Sequence, residues 1–283
     1  MNATERWRDG KVRWVQPDRP VFEPKRFRVE RIAETAARAF VERHHYLRSF
    51  PAAQACFGLM EDDTLSGVAV FSVPAQAKVL TSVFDVEPYR EATELGRLVL
   101  LDDVAYNAES WFVARAFAGL AEEGLRGDGV GVRGVVSFSD PVQRIGAGGE
   151  VVTPGHVGVV YQALGAAYLG RSSPDTELVL PGGAVLSKRA LSKVRADEVG
   201  HEYVERLLVA AGARERRAGE DGALWLARAL VAAGATRRRH PGKHRYAFAL
   251  GRSAAERRRV RIVAERLAYP RRQLDLFGAE RAA

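Results

Sequence analysis

Only one cysteine, Cys56, occurs in the chain, which excludes an internal disulfide and any multi-cysteine metal site. Long apolar runs are also missing. No stretch reaches the length of a membrane span, and the opening MNATERWRDGKVRW lacks the apolar core of a signal peptide. A soluble protein of the cytoplasm is therefore expected. Acid is scarce in the last third: residues 181–283 hold 23 Lys+Arg against 11 Asp+Glu, a net of +12, whereas residues 1–180 hold 20 against 24, a net of −4. The excess sits in RERR (214–217), RRRHPGKHR (237–245) and ERRRVR (256–261). A polyanion such as DNA or RNA would be drawn there by counterion release; the alternative is a solvated basic face.

Apolar content is ample. Of 283 residues, 47% are apolar and 28% charged, enough for one large or two small globular domains. Residues 1–28 are basic and contain Pro17, Pro20 and Pro24, which suggests an extended arm. From Val29 to Val41 the spacing of Ile32, Ala36 and Phe40 suits an amphipathic helix ending near His44-His45-Tyr46. Two apolar runs, Cys56–Met60 and Gly67–Val73, flank Glu61-Asp62-Asp63 and read as a hairpin. Glu94 to Ala105 reads as a strand, the segment after Asn107 as a helix with Asn107 as N-cap, and Gly134–Ser139 as a strand ending at Asp140-Pro141. A Gly-rich loop, a helix from Tyr161 and a strand around Tyr168 follow. An acid at the end of a buried strand, before a loop and a helix, is where an open α/β sheet keeps its site, although Asp140 capping a turn and Tyr161 packing is the plainer alternative.

That element order resembles the GNAT acyltransferases. In that fold a strand parts from its neighbour, here after Arg97–Leu101, and the turn into the next helix binds the pyrophosphate of acyl-coenzyme A through unpaired N–H groups and the positive dipole end. The turn here is Asn107-Ala108-Glu109-Ser110 rather than Gly-rich.

The segments RHHYLRSFP, ELGRLVL followed by NAESWF, VVSFSDP, GHVGVVYQALGA and PGKHRYAF occur in that order from about residue 40 to 250. Together they resemble the phage DNA-modifying Mom family, a divergent GNAT branch. The resemblance implies an α/β, GNAT-like fold and conversion of adenine in double-stranded DNA to an N6-methylcarbamoyl derivative, with acetyl-CoA as donor and protection from restriction as the result. It also implies an active-site cluster of His45, Tyr46, Asp140 and Tyr161, the same four serving as a candidate iron site. Arg97, Asn107 and Ser110 fall on the acetyl-CoA contacts, and the cytoplasm would be that of the host if a phage encodes the chain. The chain departs from the family pattern in a longer segment between Asp140 and Tyr161 and in the extra His44.

The N6 amine of adenine is a poor nucleophile because its lone pair is delocalised, so a lone general base suits an aliphatic amine better. One His, one carboxylate and two Tyr oxygens would be a hard N/O donor set, suited to iron rather than structural zinc. A base inside a duplex must also be flipped out to reach a pocket, at a cost of roughly a few kcal/mol.

Residues 186–236 read as an inserted helical segment, two helices followed by a third with Glu220-Asp221 at its start, between a core at 29–185 and a returning strand with a basic helical tail at 237–283. Lys188, Arg189, Lys193 and Arg195 on the insertion, with Lys243 and Arg245 at the returning strand, are the expected DNA contacts. Two rival functions stay open: a nucleic-acid-binding protein on a degenerate GNAT scaffold, and an N-acyltransferase for a small amine.

Overall fold

From Glu34 to Ser139 the order of elements follows the sequence reading, with one short helix added at Lys78–Thr81; after Ser139 the chain makes two excursions into a second unit. The computed structural model describes residues 4–8, 11–15, 22–47, 49–105, 107–146, 148–149, 151–153, 155–270, 273–274 and 280–281. Pro17 and Pro20 of the expected arm, Arg48 of the RHHYLRSFP motif and most of the tail beyond Leu274 lie outside the described residues.

In chain order, β1 (Thr4–Arg8) pairs with β2 (Lys11–Val15), and β3 (Phe27–Arg31) leads to α1 (Glu34–His44). The hairpin of β4 (Ala53–Glu61) and β5 (Thr64–Ser72) follows, then α2 (Lys78–Thr81), β6 (Ala92–Leu100), α3 (Ala108–Glu123) and β7 (Gly134–Ser139). Next come β8 (Arg144–Ile145), β9 (Val151–Thr153), α4 (Val159–Ala163) and β10 (Ala167–Arg171). The second excursion contains β11 (Asp175–Val179), β12 (Val185–Leu186), α5 (Lys188–Arg195), α6 (Glu202–Ala210), α7 (Gly222–Ala232) and β13 (Thr236–His240). The chain closes with β14 (His244–Ala249), α8 (Ala254–Arg259) and a ribbon of Gln273–Leu274 with Glu280–Arg281.

Unit 1 comprises residues 1–141, 155–172 and 243–283. Its seven-stranded sheet runs β10-β14-β7-β6-β5-β4-β3; β6 and β7 are parallel and the other pairs antiparallel. The period-two pattern of the strands sorts residues to two faces. Ala55, Phe57 and Leu59 of β4 join Phe112, Ala116 and Leu120 of α3 on one side. Cys56, Val68 and Val70 pack under Ala37, Phe40 and Val41 of α1 on the other. Farther along that second face, Ala92, Val136 and Ala247 meet Leu80, Val83 and Phe84. The result is the expected α/β class, a mixed sheet flanked by helices. Among the described residues no helix is long and apolar enough to cross a membrane.

Two expectations need correction, and a third gains detail. The segment from Val29 is a strand before it is a helix: Phe27 and Val29 alternate inward with exposed Arg28 and Glu30, and α1 starts only at Glu34. The N-terminal segment, expected to be an extended arm, carries two extended strands paired over Thr4↔Val15 to Arg8↔Lys11. The tail is helical only over α8, because its next residues bond to unit 1 instead: Val263 N–H donates to the Val83 carbonyl (2.9 Å), Leu267 N–H to that of Tyr168 (2.9 Å) and the Tyr269 hydroxyl to that of Ala166 (2.6 Å).

Unit 2 comprises residues 142–154 and 173–242, so it contains the helical segment expected at 186–236 and adds strands before and after it. Its own core joins Leu186, Leu191, Val194, Val204, Leu208, Trp225 and Leu226 under a sheet of order β12-β11-β13. Asp221 caps α7 by accepting from Leu224 N–H (2.8 Å), and Ser187 caps α5 through Ala190 N–H (3.1 Å). The segment that lengthens the Asp140–Tyr161 connection is largely this first excursion, ribbon β8–β9. Where unit 1 is left and re-entered for the second, Ser172 N–H donates to the Lys243 carbonyl (2.8 Å) and Lys243 N–H to Ser172 Oγ (2.9 Å).

Candidate active site

Strands β6 and β7 pair only from Ala92↔Gly134 to Leu95↔Ser137. Beyond that point β6 runs on to Leu100 and β7 to Ser139 without pairing to each other. At the parting lies a β-bulge: Val70 of β5 faces Arg97 and Phe71 faces Leu95, which leaves Gly96 as the extra residue. Glycine relieves the crowding there, because a Cβ on Gly96 would stand 2.3 Å from Ser72 Oγ and force that side chain to move. A second glycine constraint holds α4, whose first turn follows Gly158 at φ +71°; a Cβ there would meet the Tyr161 and Tyr246 rings at 2.8 Å.

Around this crevice the structure gathers side chains from four segments. Tyr161, buried on α4, is hydrogen-bonded to Ser137 of β7, whose Oγ donates to the Leu95 carbonyl (3.2 Å). Burial raises the Tyr161 pKa, keeping it a neutral phenol. Glu94 of β6 is pushed up to about 7 by burial, against the pull of Lys243 and Arg97. Arg97 lies across the bulge: its Nε donates to the Ser49 carbonyl (3.0 Å), one terminal nitrogen to Ser49 Oγ (2.9 Å) and the other to the Gly96 carbonyl (2.6 Å). It thereby straps the turn after α1 to the strand. Burial lowers its pKa, while Tyr46, Glu94 and Tyr161 raise it.

His45 opens that turn. It is buried, stacked on Tyr46 with ring centroids 4.3 Å apart, and depressed to about 3 by burial, with Arg97 and His156 adding to the effect. The ring is therefore neutral. Leu47 N–H donates to its Nδ1 (3.1 Å), so the proton of the neutral ring is on Nε2. His45 thus presents a hydrogen-bond donor. Metal ligation through Nε2 would move that proton to Nδ1, against the Leu47 N–H, so the set expected to hold iron does not fit a cation through this imidazole.

Of the four expected cluster residues, His45, Tyr46 and Tyr161 share the electrostatic surroundings of Arg97. Asp140 follows β7, and its carbonyl accepts from His156 N–H (2.8 Å), the histidine that acts on His45. Of the expected coenzyme contacts, Asn107 takes the N-cap position of α3 at φ +71° without capping through its side chain. Ser110 Oγ donates back to the Asn107 carbonyl (3.2 Å).

The expected DNA contacts divide. Lys188 is ion-paired to Asp175, and Arg189 to Glu198. Arg195 is exposed and Lys193 half-buried on α5. Lys243 is exposed, whereas half-buried Arg245 donates to the Leu169 carbonyl (3.0 Å). Sequence reasoning passed over Glu94, whose signal was a single acid in the otherwise uncharged first half of β6, ATELG.

The Mom protein family matches residues 26–271 of the chain. No curated protein matches it. Among solved structures, a "Tandem GNAT protein from the clavulanic acid biosynthesis pathway (without AcCoA)" is similar at 11% identity, covering 79% of this chain and 70% of that one, with a TM-score of 0.31.

Proposed function

The chain belongs to the Mom family, and from that premise we propose that it is a DNA-modifying transferase that places an acetyl-CoA-derived group on N6 of adenine, giving the methylcarbamoyl derivative that shields DNA from restriction. The observation that carries the transferase part is the parting of β6 and β7 at the Gly96 bulge. The β7-facing edge of β6 beyond Leu95 has main-chain groups without a β7 partner, and the amides of an extended pantetheine arm can pair with such an edge as a short added strand. The N-terminus of α3, from Asn107 to Ser110, suits the pyrophosphate. When bound, the coenzyme would supply the two carbons of the added group; the amide nitrogen of the product and the oxidation that joins the methyl carbon to N6 need a nitrogen donor and an oxidant besides.

Any reaction at N6 requires the amine to lose a proton. Glu94 titrates near 7, where a general base is most effective. His45 presents Nε2–H to an acceptor, and Tyr161, held by Ser137, stands beside it as a neutral phenol. Arg97 orients this group by holding the Ser49 turn.

Mass spectrometry of nucleosides from the DNA of cells expressing the protein tests the reading. A modified deoxyadenosine, absent when Glu94→Gln is expressed, is expected. Unmodified DNA from cells in which the protein still binds DNA would replace the enzyme with the non-catalytic binder.

A further inference from the structure

Strand β13 is the outer edge of the unit 2 sheet, paired on one side to β11. Its sequence is Thr236-Arg237-Arg238-Arg239-His240, and all three arginines are exposed. The acids that face it are already engaged. Glu177, opposite Arg238, is bound by buried Arg144 at 2.6 Å, and Asp175, opposite His240, is bound by Lys188. Among the described residues no carboxylate lies within ion-pair distance of Arg237, Arg238 or Arg239. Three adjacent positive charges on about 7 Å of strand repel one another unless something negative covers them.

We propose that β13 is where the protein grips the sugar–phosphate backbone of duplex DNA, through Arg237, Arg238 and Arg239; the proposal rests on DNA being the substrate. Arginine suits this, since its planar fork meets phosphate oxygens with two N–H groups at once. Successive side chains of the strand project to opposite sides, with Arg237 and Arg239 to one and Arg238 to the other, so the edge as a whole meets a row of phosphates that recur about every 3.4 Å of helix axis on each DNA strand. The cations expected to bind DNA from α5 are less suited: Lys188 and Arg189 would have to leave Asp175 and Glu198 first. Backbone contacts of this kind position the protein and carry no sequence preference.

The test is the affinity of the full chain for a short duplex, measured by fluorescence anisotropy across a salt series. Replacing all three residues (Arg237→Gln, Arg238→Gln, Arg239→Gln) should flatten the log–log slope by about 0.9 per phosphate contact, roughly 2.7 in all. Lys188→Gln with Arg189→Gln should change it far less. The thermal midpoint of each variant checks the fold, and single replacements, each lowering the slope by about 0.9, keep the test decisive if the triple variant is unstable. Wild-type protein with no salt-dependent DNA binding would remove the substrate reading and this site with it. Wild-type binding with an unchanged slope in the triple variant would overturn the site alone, and self-association of that variant would make the arginines guards of an open sheet edge. A loss seen only with single-stranded RNA would overturn it in favour of an RNA surface.

Discussion

Glu94 and His45 are shifted in opposite directions by the same cause, burial, because one is uncharged when protonated and the other when deprotonated. For Glu94 the carboxylate needed as base forms only as pH rises through about 7. kcat/KM should therefore climb to a plateau with an apparent pKa near 7, and Glu94→Gln should lose that rise along with roughly 10²–10⁴ of rate. Stability moves the other way. A carboxyl raised in the folded state favours folding below its unfolded pKa, and this is lost as pH rises through about 7, so Glu94→Gln should gain on the wild type at pH 8 in urea titrations. A rate profile that keeps its limb in the Gln variant would remove Glu94 from the chemistry. His45 gives the mirror case: its contribution is present above 6.5 and lost as pH falls toward 3, since the unfolded chain takes a proton that the folded ring refuses. His45→Asn retains an acceptor for Leu47 N–H and should flatten the acid side of the stability curve between those limits. At this scale the sequence pointed to His45, Tyr46, Asp140 and Tyr161 as one cluster through family motifs, and three of them, His45, Tyr46 and Tyr161, share the electrostatic surroundings of Arg97. It missed Glu94 because a strand residue's burial depends on partners hundreds of atoms away along the chain.

Strand β6 links the sheet to the crevice, and its behaviour turns on one glycine. Gly96→Ala would drive a Cβ to 2.3 Å from Ser72 Oγ on the neighbouring strand, where Ser72 is buried and Gly96 half-buried. We expect a loss of about 1–3 kcal/mol and weaker coenzyme affinity, as the bulge straightens and the parting of β6 from β7 shifts. The Ser72→Ala background removes the clashing oxygen and should recover part of the loss, which a double-mutant cycle would measure; equal losses in both backgrounds would dissociate Gly96 from Ser72. Elements with a strong local signature were legible: the β4–β5 hairpin from its acidic turn, β7 from GVVSFS, and α7 from the Asp221 cap. The β3–α1 boundary was not. Ile32, Ala36 and Phe40 satisfy a helical period, yet Phe27 and Val29 are claimed by pairing with β4, and tertiary pairing outweighs local spacing. The tail gave way in the same manner, to main-chain bonds with Val83 and Tyr168.

On the scale of the whole molecule, the chain builds two units from interleaved segments, each with buried clusters of its own. Residues 142–154 and 173–242 leave and re-enter unit 1, so a reading that takes domains as continuous stretches sees an insertion at 186–236 and misses the strands that complete it. Those strands were hard to see for a physical reason. Arg144–Ile145, Val151–Thr153 and Val185–Leu186 are too short to show alternation, and β13 is nearly all charge, which local pattern assigns to a solvated loop. The separate cores carry a consequence for stability. Trp225 of α7 is 1% exposed and donates from its indole to the Arg214 carbonyl (3.1 Å), at the centre of the unit 2 cluster. Trp225→Ala should remove about 3–5 kcal/mol of packing and leave that carbonyl without its indole donor. Because none of the residues of that cluster belongs to unit 1, the loss should appear as faster amide exchange across α5, α6 and α7, while β4, β5 and β7 keep their protection. Hydrogen exchange read by mass spectrometry separates the outcomes: uniform loss over both sheets would mean that the two cores unfold as one cooperative body, and would remove the two-unit account of stability.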